Sequence, residues 1–442
     1  MLQGSFYCVR GENMKKAIIV GTGAGGATAA KELQGHFDVT ILEAGKEFRP
    51  FSFDLSIPEK LKKMGLLFNE KLIQILFPNM RIRKTRDRMI LVNGLGHGGT
   101  TTICTGNALR MDKRLKELGI NLDDEFEEIY REIPVTTDHR SLWRKTTEKL
   151  YEISQEMNLN PQITPKMGHY DRCRSCGRCV LGCRQGAKWD SRYYLRMALE
   201  KGAQMISECK VQRVMIEGGR AKGVLAKQRG RTQLLQADLI ILAAGGFGTP
   251  VILERSDISC EPHLFVDPVL CVAAEWEGSY QNQEIPMPFF IARDYFILSP
   301  YFDHLSFFFN KNWSYPARDI VSMMIKLADN NTGAISRGKI RKALTERDKE
   351  RLSEAVAICK EMLHRLGIKK KDMFLGTINA GHPGGMLPLT EHEADSLHNP
   401  RLPENLYVAD ATLLPESMGN PPILTIIALA KRVSKVCINH WE

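Results

Sequence analysis

The chain has 442 residues, enough for two or three domains around a sizeable core, and its 43% apolar content is that of a soluble globular protein. A formal charge of +10 arrives without a K/R-rich block or a nucleic-acid motif; this argues against nucleic acid and leaves a solvated basic surface, an acidic substrate or an acidic protein partner. No apolar run is long enough for a membrane span and the N-terminus has no apolar signal segment, which argues against membrane association and for a cytoplasmic protein.

Residues before Met14 read as an extension ahead of the fold. The run AIIVGTGAGGATAAKELQ, residues 17–34, then sets the architecture. Residues 17–20 are an apolar strand, and Gly21, Gly23 and Gly26 follow at the spacing G-x-G-x-x-G before a helix-forming run, 27–33. Gly21 serves the tight turn, Gly23 lets the backbone approach a pyrophosphate, and Gly26 lets helix and strand pack closely. The helix N-terminus offers free N–H groups to phosphate. A second strand, 37–42, ends at Glu43, where an acid can bind a ribose hydroxyl.

Residues 60–77 read as one amphipathic helix, with Leu61, Met64, Phe68, Leu72, Ile75 and Leu76 on one face and lysines on the other. Core packing is the expected role and a membrane surface the alternative. A second glycine-rich loop, GLGHGGTTTICTGN, covers 94–107 and is suited to a flat ligand; 115–159 is charged and mostly helical. After a helix at 194–201 come strands at 211–216, 223–227 and 239–242, the last running into AAGGFGTP. Residues 285–316 hold eleven of the 34 aromatic residues and read as sheet strands that form core and wall a pocket. A helix at 345–366 capped by Thr345, a strand at 406–408 and a C-terminal helix complete the chain.

Four of the eleven cysteines, Cys173, Cys176, Cys179 and Cys183, are spaced C-x2-C-x2-C-x3-C. That is ferredoxin-type ligation of an iron–sulfur cluster. Structural zinc favours two C-x-x-C knuckles further apart, and redox or packing cysteines are the remaining reading. The fourth ligand stays open: Cys183 or a distant cysteine closes a [4Fe–4S] site, or a [3Fe–4S] site remains.

Taken in order, GTGAGG with LEAG, GLGHGGTTTICTGN, ADLIILAAGGFGTPVIL, GHPGGMLP and NLYVADATLLPESMGNPPILTIIALAKR resemble the glucose–methanol–choline (GMC) family of FAD-dependent oxidoreductases. The resemblance covers both ends and weakens over 115–168 and 258–373. It implies an α/β, Rossmann-like FAD-binding domain with an α+β sheet-based substrate domain. The expected segments are 14–115, 191–255 and 373–442 for FAD, 116–170 for a helical insertion, 171–190 for the cysteines and 256–372 for substrate.

The resemblance places Gly21, Gly23, Ala24, Gly25 and Gly26 at the pyrophosphate and Glu43 with Ala44 at the adenosine ribose. Val211 falls at the adenine, Gly98, Gly99, Thr100 and Asn107 at the flavin, and Asp410 at the ribityl–phosphate region. Ala244, Gly245 and Pro422 complete the contacts. Ile103 stands where some members carry a flavin-linking histidine, so the FAD is expected to be non-covalent. His382, in a His-Pro motif, is the implied base for an alcohol hydroxyl, a role suited to imidazole. Asn420 is the candidate second catalytic group, although the family's Asn position holds Pro421.

Flavin with an iron–sulfur cluster implies a dehydrogenase for an alcohol or sugar-like substrate that feeds a one-electron carrier such as ferredoxin, not an oxidase. The same parts allow a ferredoxin-fed reductase or a non-catalytic electron-transfer subunit. A homo-oligomer or a larger complex stays open.

Overall fold

The structure, a computed structural model, describes residues 14–52, 56–64 and 70–441; the stretch before Met14 lies outside these. The strand Lys16–Val20 is buried from Ala17 onward, as its β-branched side chains favour. It lies between Asp38–Leu42 and Leu239–Leu242 in a parallel sheet that Leu406–Val408 and Gln204–Ile206 extend to five strands. Strands buried on both faces need covering layers. The helix Ala24–Leu33 supplies part of one and packs against Arg192–Glu200 and Ile423–Trp441. Lys431, 1% exposed on the last helix, reaches Glu32, Glu128 and Glu132 at 2.7, 3.0 and 2.9 Å, so one cation ties three helices.

A second layer is a mixed sheet ordered Met80–Lys84, Ile90–Gly94, Asn379–Ala380, Val269–Glu275, Ile320–Leu327, Phe296–Pro300, Phe289–Ala292 and Gln162–Ile163. Val269 pairs with Lys326 on one side and Asn379 on the other. That register brings the segments around 267, 326 and 382 to one end of three adjacent strands. The chain is thus an α/β protein with a parallel nucleotide-type sheet and a separate mixed sheet.

Three expectations change in detail. Residues 60–77 are not one helix: Ser56–Lys63 and Glu70–Leu76 are separate, and Phe68 lies outside the described residues. Met64 and Ile75 are each 75% exposed, so this stripe does not bury itself in a core. The strand Arg231–Gln236 joins the antiparallel pair Cys209–Glu217 and Arg220–Gln228, and its mostly exposed RTQLLQ sequence lacks the alternation that marks a half-buried strand. The aromatic stretch is mostly core: Phe289, Phe296, Phe302, Phe307 and Trp313 are buried in two apolar clusters. The helix Glu346–Arg365 carries the expected Thr345 cap, completed as a capping box by Asp348.

Candidate active site

The carboxyl ends of the parallel strands face the mixed sheet across a cavity of about 590 Å3. Open α/β sheets bind ligands at this end of the strands. Gly21, Gly23, Ala24 and Gly25 line it. Gly23 has ordinary extended angles, φ −67° and ψ −168°, and a Cβ placed on it would meet nothing within 4 Å. Neither the backbone nor any neighbouring protein atom requires glycine there; the space in front of the helix is open. Gly26 lies behind the wall, where a Cβ would come 2.1 Å from the Gly21 carbonyl oxygen. Its role is the close helix–strand approach.

Glu43 is 5% exposed and held by three donors. The Thr22 amide and hydroxyl donate to Oε2 at 3.1 and 2.6 Å, and the Gly45 amide donates to Oε1 at 2.8 Å. Glu43, Ala44 and Val211 line one end of the cavity. Gly99, Thr100, Ile103 and Asn107 line it from the second glycine-rich loop, whereas Gly98, at φ +92°, shapes the turn behind them. Asn107 accepts from Lys166 Nζ at 2.6 Å. Asp410 receives the Gly245 amide and the Thr249 hydroxyl on Oδ2, at 2.8 and 2.5 Å, and the Thr412 amide on Oδ1 at 2.8 Å. Burial pushes its pKa up, against the pull of these donors. Ala244, Gly245, Asp410 and Pro422 also face the cavity.

His382 lines the same cavity, with its side chain 22% exposed. Its Nδ1 stands 3.4 Å from Asp267 Oδ2, within ion-pair distance but outside hydrogen-bond geometry. Burial and the nearby Lys326 ammonium hold the imidazole below its ordinary pKa, and Asp267 opposes them. Asn420 is not among the described cavity-lining residues; Pro421 and Pro422 are. The Asn420 side-chain amide donates to the Met418 carbonyl at 3.3 Å.

Two groups of lining residues escape sequence reasoning. Arg81, Arg83, Lys210 and Arg255 come from two strands and a helix. Among the described residues none of the four has a carboxylate at ion-pair distance. Burial, then Arg81, Arg255 and Arg83, lower the Lys210 pKa. The second group is Asp267, Tyr301 and Lys326, on the mixed-sheet wall. Tyr301 and Phe308 are the aromatic residues that 285–316 contributes to the lining.

The cavity suits FAD: it has a glycine-lined space at a helix N-terminus, a held carboxylate at one end and, among the described residues, cations without carboxylate partners on its wall. The cysteine run suits its expected cluster less directly. All four cysteines are free thiols lining one small cavity of about 10 Å3. As the side chains stand, no group of three or more His, Cys, Asp or Glu residues among the described ones is arranged to hold a metal ion.

Residues 15–272 match the family model described as GMC oxidoreductase. The chain is 28% identical to the uncharacterized protein MJ1450 of Methanocaldococcus jannaschii over 420 residues, 94% of this chain and 97% of that one. It is 22% identical to the long-chain-alcohol oxidase FAO1 of Arabidopsis thaliana, over 95% of this chain and 66% of the oxidase. Its fold matches the crystal structure of pyridoxine 4-oxidase from Mesorbium loti with a TM-score of 0.71 at 15% identity, covering 96% and 99% of the two chains.

Proposed function

The chain belongs to the GMC oxidoreductase family, and we propose that it is an FAD-dependent enzyme oxidising the CH–OH group of a small alcohol, with His382 as the base. The observation that carries this reading is that His382 and the Gly21–Gly25 turn line one cavity. The chemistry FAD supplies when bound is acceptance of a hydride from carbon. Gly21, Gly23 and Gly25 would hold its diphosphate, Glu43 its ribose, and Thr100 and Asn107 the flavin end. The cations Arg81, Arg83, Lys210 and Arg255 add positive potential for the dinucleotide.

His382 then has one task, removal of the hydroxyl proton. The negative charge of Asp267, 3.4 Å from Nδ1, favours the tautomer protonated there, which leaves Nε2 as the basic lone pair. Phe51, Phe77, Val180, Leu181 and Phe308 make part of the wall apolar, which favours an alcohol with a hydrophobic body. FAO1, named for long-chain alcohols, fits that direction. His382→Ala is expected to keep bound FAD and to lose flavin bleaching by primary alcohols under anaerobic conditions; wild-type bleaching rates in that variant would sink the assignment.

The finer reading is a dehydrogenase whose acceptor is a one-electron carrier such as ferredoxin, with Cys173, Cys176, Cys179 and Cys183 ligating an iron–sulfur cluster. It is supported by the spacing of the run and by the single cavity the four share. Relatives named as oxidases point the other way. Iron and sulfide analysis of anaerobically purified protein, with EPR before and after dithionite, decides it. About four irons per chain are expected for a [4Fe–4S] cluster; iron-free protein that consumes oxygen would make it an oxidase. A cytoplasmic location is supported by the ten described cysteines, all free.

A further inference from the structure

Asn420, the expected second polar group, is not among the described lining residues, but the cavity has another polar group in Lys326. Lys326 sits in the strand Ile320–Leu327, whose eight residues are all buried, and it is the one charged residue among them. Its Nζ lies 3.1 Å from Asp267 Oδ2 and 3.4 Å from the Asp267 carbonyl oxygen. The two side chains are 3% and 1% exposed. The oxygen that binds Lys326 is also the one facing His382 Nδ1 at 3.4 Å. Asp267 Oδ1 is taken up elsewhere, by the Ser417 hydroxyl and by the Gly419 amide at 3.3 Å. One carboxylate oxygen therefore accepts from Lys326 and faces His382, and all three residues line the cavity.

An ammonium has three protons to donate. Asp267 supplies the acceptors for Lys326 among the described residues, a carboxylate and a carbonyl oxygen, so one proton lacks a protein partner. A buried ion pair is often no more stable than apolar side chains of the same size, so the pair is poorly explained by stability alone. Behind it lies a second buried pair, Lys342 with Asp329 at 2.6 Å, which the Ser417 hydroxyl and the Asp267 amide join to the first at 3.1 and 2.9 Å. The charged groups acting on His382 are thus Asp267 and Lys326, with Asp329 and Lys342 one layer further back.

We propose that Lys326 is a second catalytic residue, donating its free N–H to the substrate oxygen that His382 deprotonates, and that Asp267 is the positioning residue for both. The inference rests on the alcohol-oxidation reading. In that reaction the hydroxyl proton goes to His382, the carbon's hydrogen leaves with its electron pair to flavin, and the C=O bond forms. Lys326 keeps its protons and stabilises the charge that develops on oxygen before the double bond is complete.

The test uses the flavoprotein with a panel of primary alcohols, from ethanol to 1-dodecanol and benzyl alcohol. Anaerobic stopped-flow bleaching reads the chemistry, and NMR of labelled histidine reads the titration of His382 without substrate. Lys326→Met is expected to slow bleaching about 100-fold, the scale of one lost oxyanion donor, with a much smaller change in KM. Lys326→Gln, which keeps a donor, should recover part of the rate. Removing the ammonium should raise the His382 titration midpoint, and Asp267→Asn should lower it. Should Lys326→Met lose its flavin, the double variant Lys326→Met/Asp267→Asn removes both buried charges together and serves in its place. Bleaching within threefold of an active wild type overturns the catalytic role of Lys326. An unmoved His382 midpoint overturns the shared anchor. A wild type that no alcohol bleaches is the distinct failure of the alcohol reading itself, and the inference falls with it.

Discussion

Gly23 separates what the ligand needs from what the fold needs. Its angles are open to any residue, and it caps the helix Ala24–Leu33 without a side-chain hydrogen bond. Serine is a better N-cap than glycine by a few tenths of a kcal/mol. Gly23→Ser should therefore leave the apoprotein melting at the wild-type temperature or about 1 °C above it. The added hydroxymethyl group enters space where no protein atom lies within 4 Å of the Cβ position. If the FAD diphosphate fills that space, two extra heavy atoms cost about 1–3 kcal/mol, the usual price of overpacking a fitted site. That is a loss of about 5- to 160-fold in affinity. Fluorescence titration of FAD into stripped protein measures it, and thermal denaturation of the same sample measures the fold. Gly26→Ser is the control: its Cβ would lie 2.1 Å from a backbone oxygen, so it should destabilise the apoprotein itself. A Gly23→Ser protein that binds FAD like wild type, or that melts several degrees lower without it, would refute the reasoning.

Other outcomes follow from the charges. His382 is held below its ordinary value of 6.5, so it stays a neutral base through neutrality. The acid limb of kcat/KM for alcohol should then fall below pH 6.5, and a limb above pH 7 would contradict the assignment. The Lys342–Asp329 pair is fully buried at 2.6 Å. Lys342→Met strands a buried carboxylate and should lower stability by about 3–5 kcal/mol in urea denaturation; a loss under about 1 kcal/mol, an ordinary surface effect, would show the pair to be unimportant. Arg81→Gln and Lys210→Gln should each weaken FAD binding several-fold at low salt. Both should converge on wild type near 1 M salt, where screening acts within about 3 Å; salt-independent differences would mean these cations do not act through charge.

What the sequence makes legible here is local. The turn at residues 17–34 carries its strand, glycine spacing and helix within one window, and Glu43 follows at a fixed distance. His382 stands in a short motif. Lys326, Asp267 and Ser417 share no window with it; strand register assembles them, through Val269 pairing with both Lys326 and Asn379. The one signal available was a single lysine in the otherwise uncharged run IVSMMIKL. The cations at 81, 83, 210 and 255 are dispersed in the same way. The stripe at 60–77 misled because helical spacing reports a face and not what covers it: Met64 and Ile75 face solvent.

The cysteine run acquires its meaning from charge. Cys179–Leu181 is one turn, yet Val180 and Leu181 line the large cavity while Cys179 lines the small one, so a single segment walls both. Burial pushes the Cys179 thiol up to about 12, even with positive charge pulling it down. Two buried lysines are close. Lys188 donates to the Thr101 and Thr102 carbonyls at 2.8 and 3.0 Å, and Lys166 to Asn107 Oδ1 and the Pro286 carbonyl, both at 2.6 Å. Among the described residues neither has a carboxylate partner. Burial drives the Lys166 pKa down to about 7, and the groups that pull it back are Cys179, Cys104 and Cys173. A buried cation without a carboxylate tends to neutralise, as the lowered Lys166 does. Lys166 therefore links the two cavities: it donates to Asn107, which lines the large one, and its charge acts on Cys179, which lines the small one.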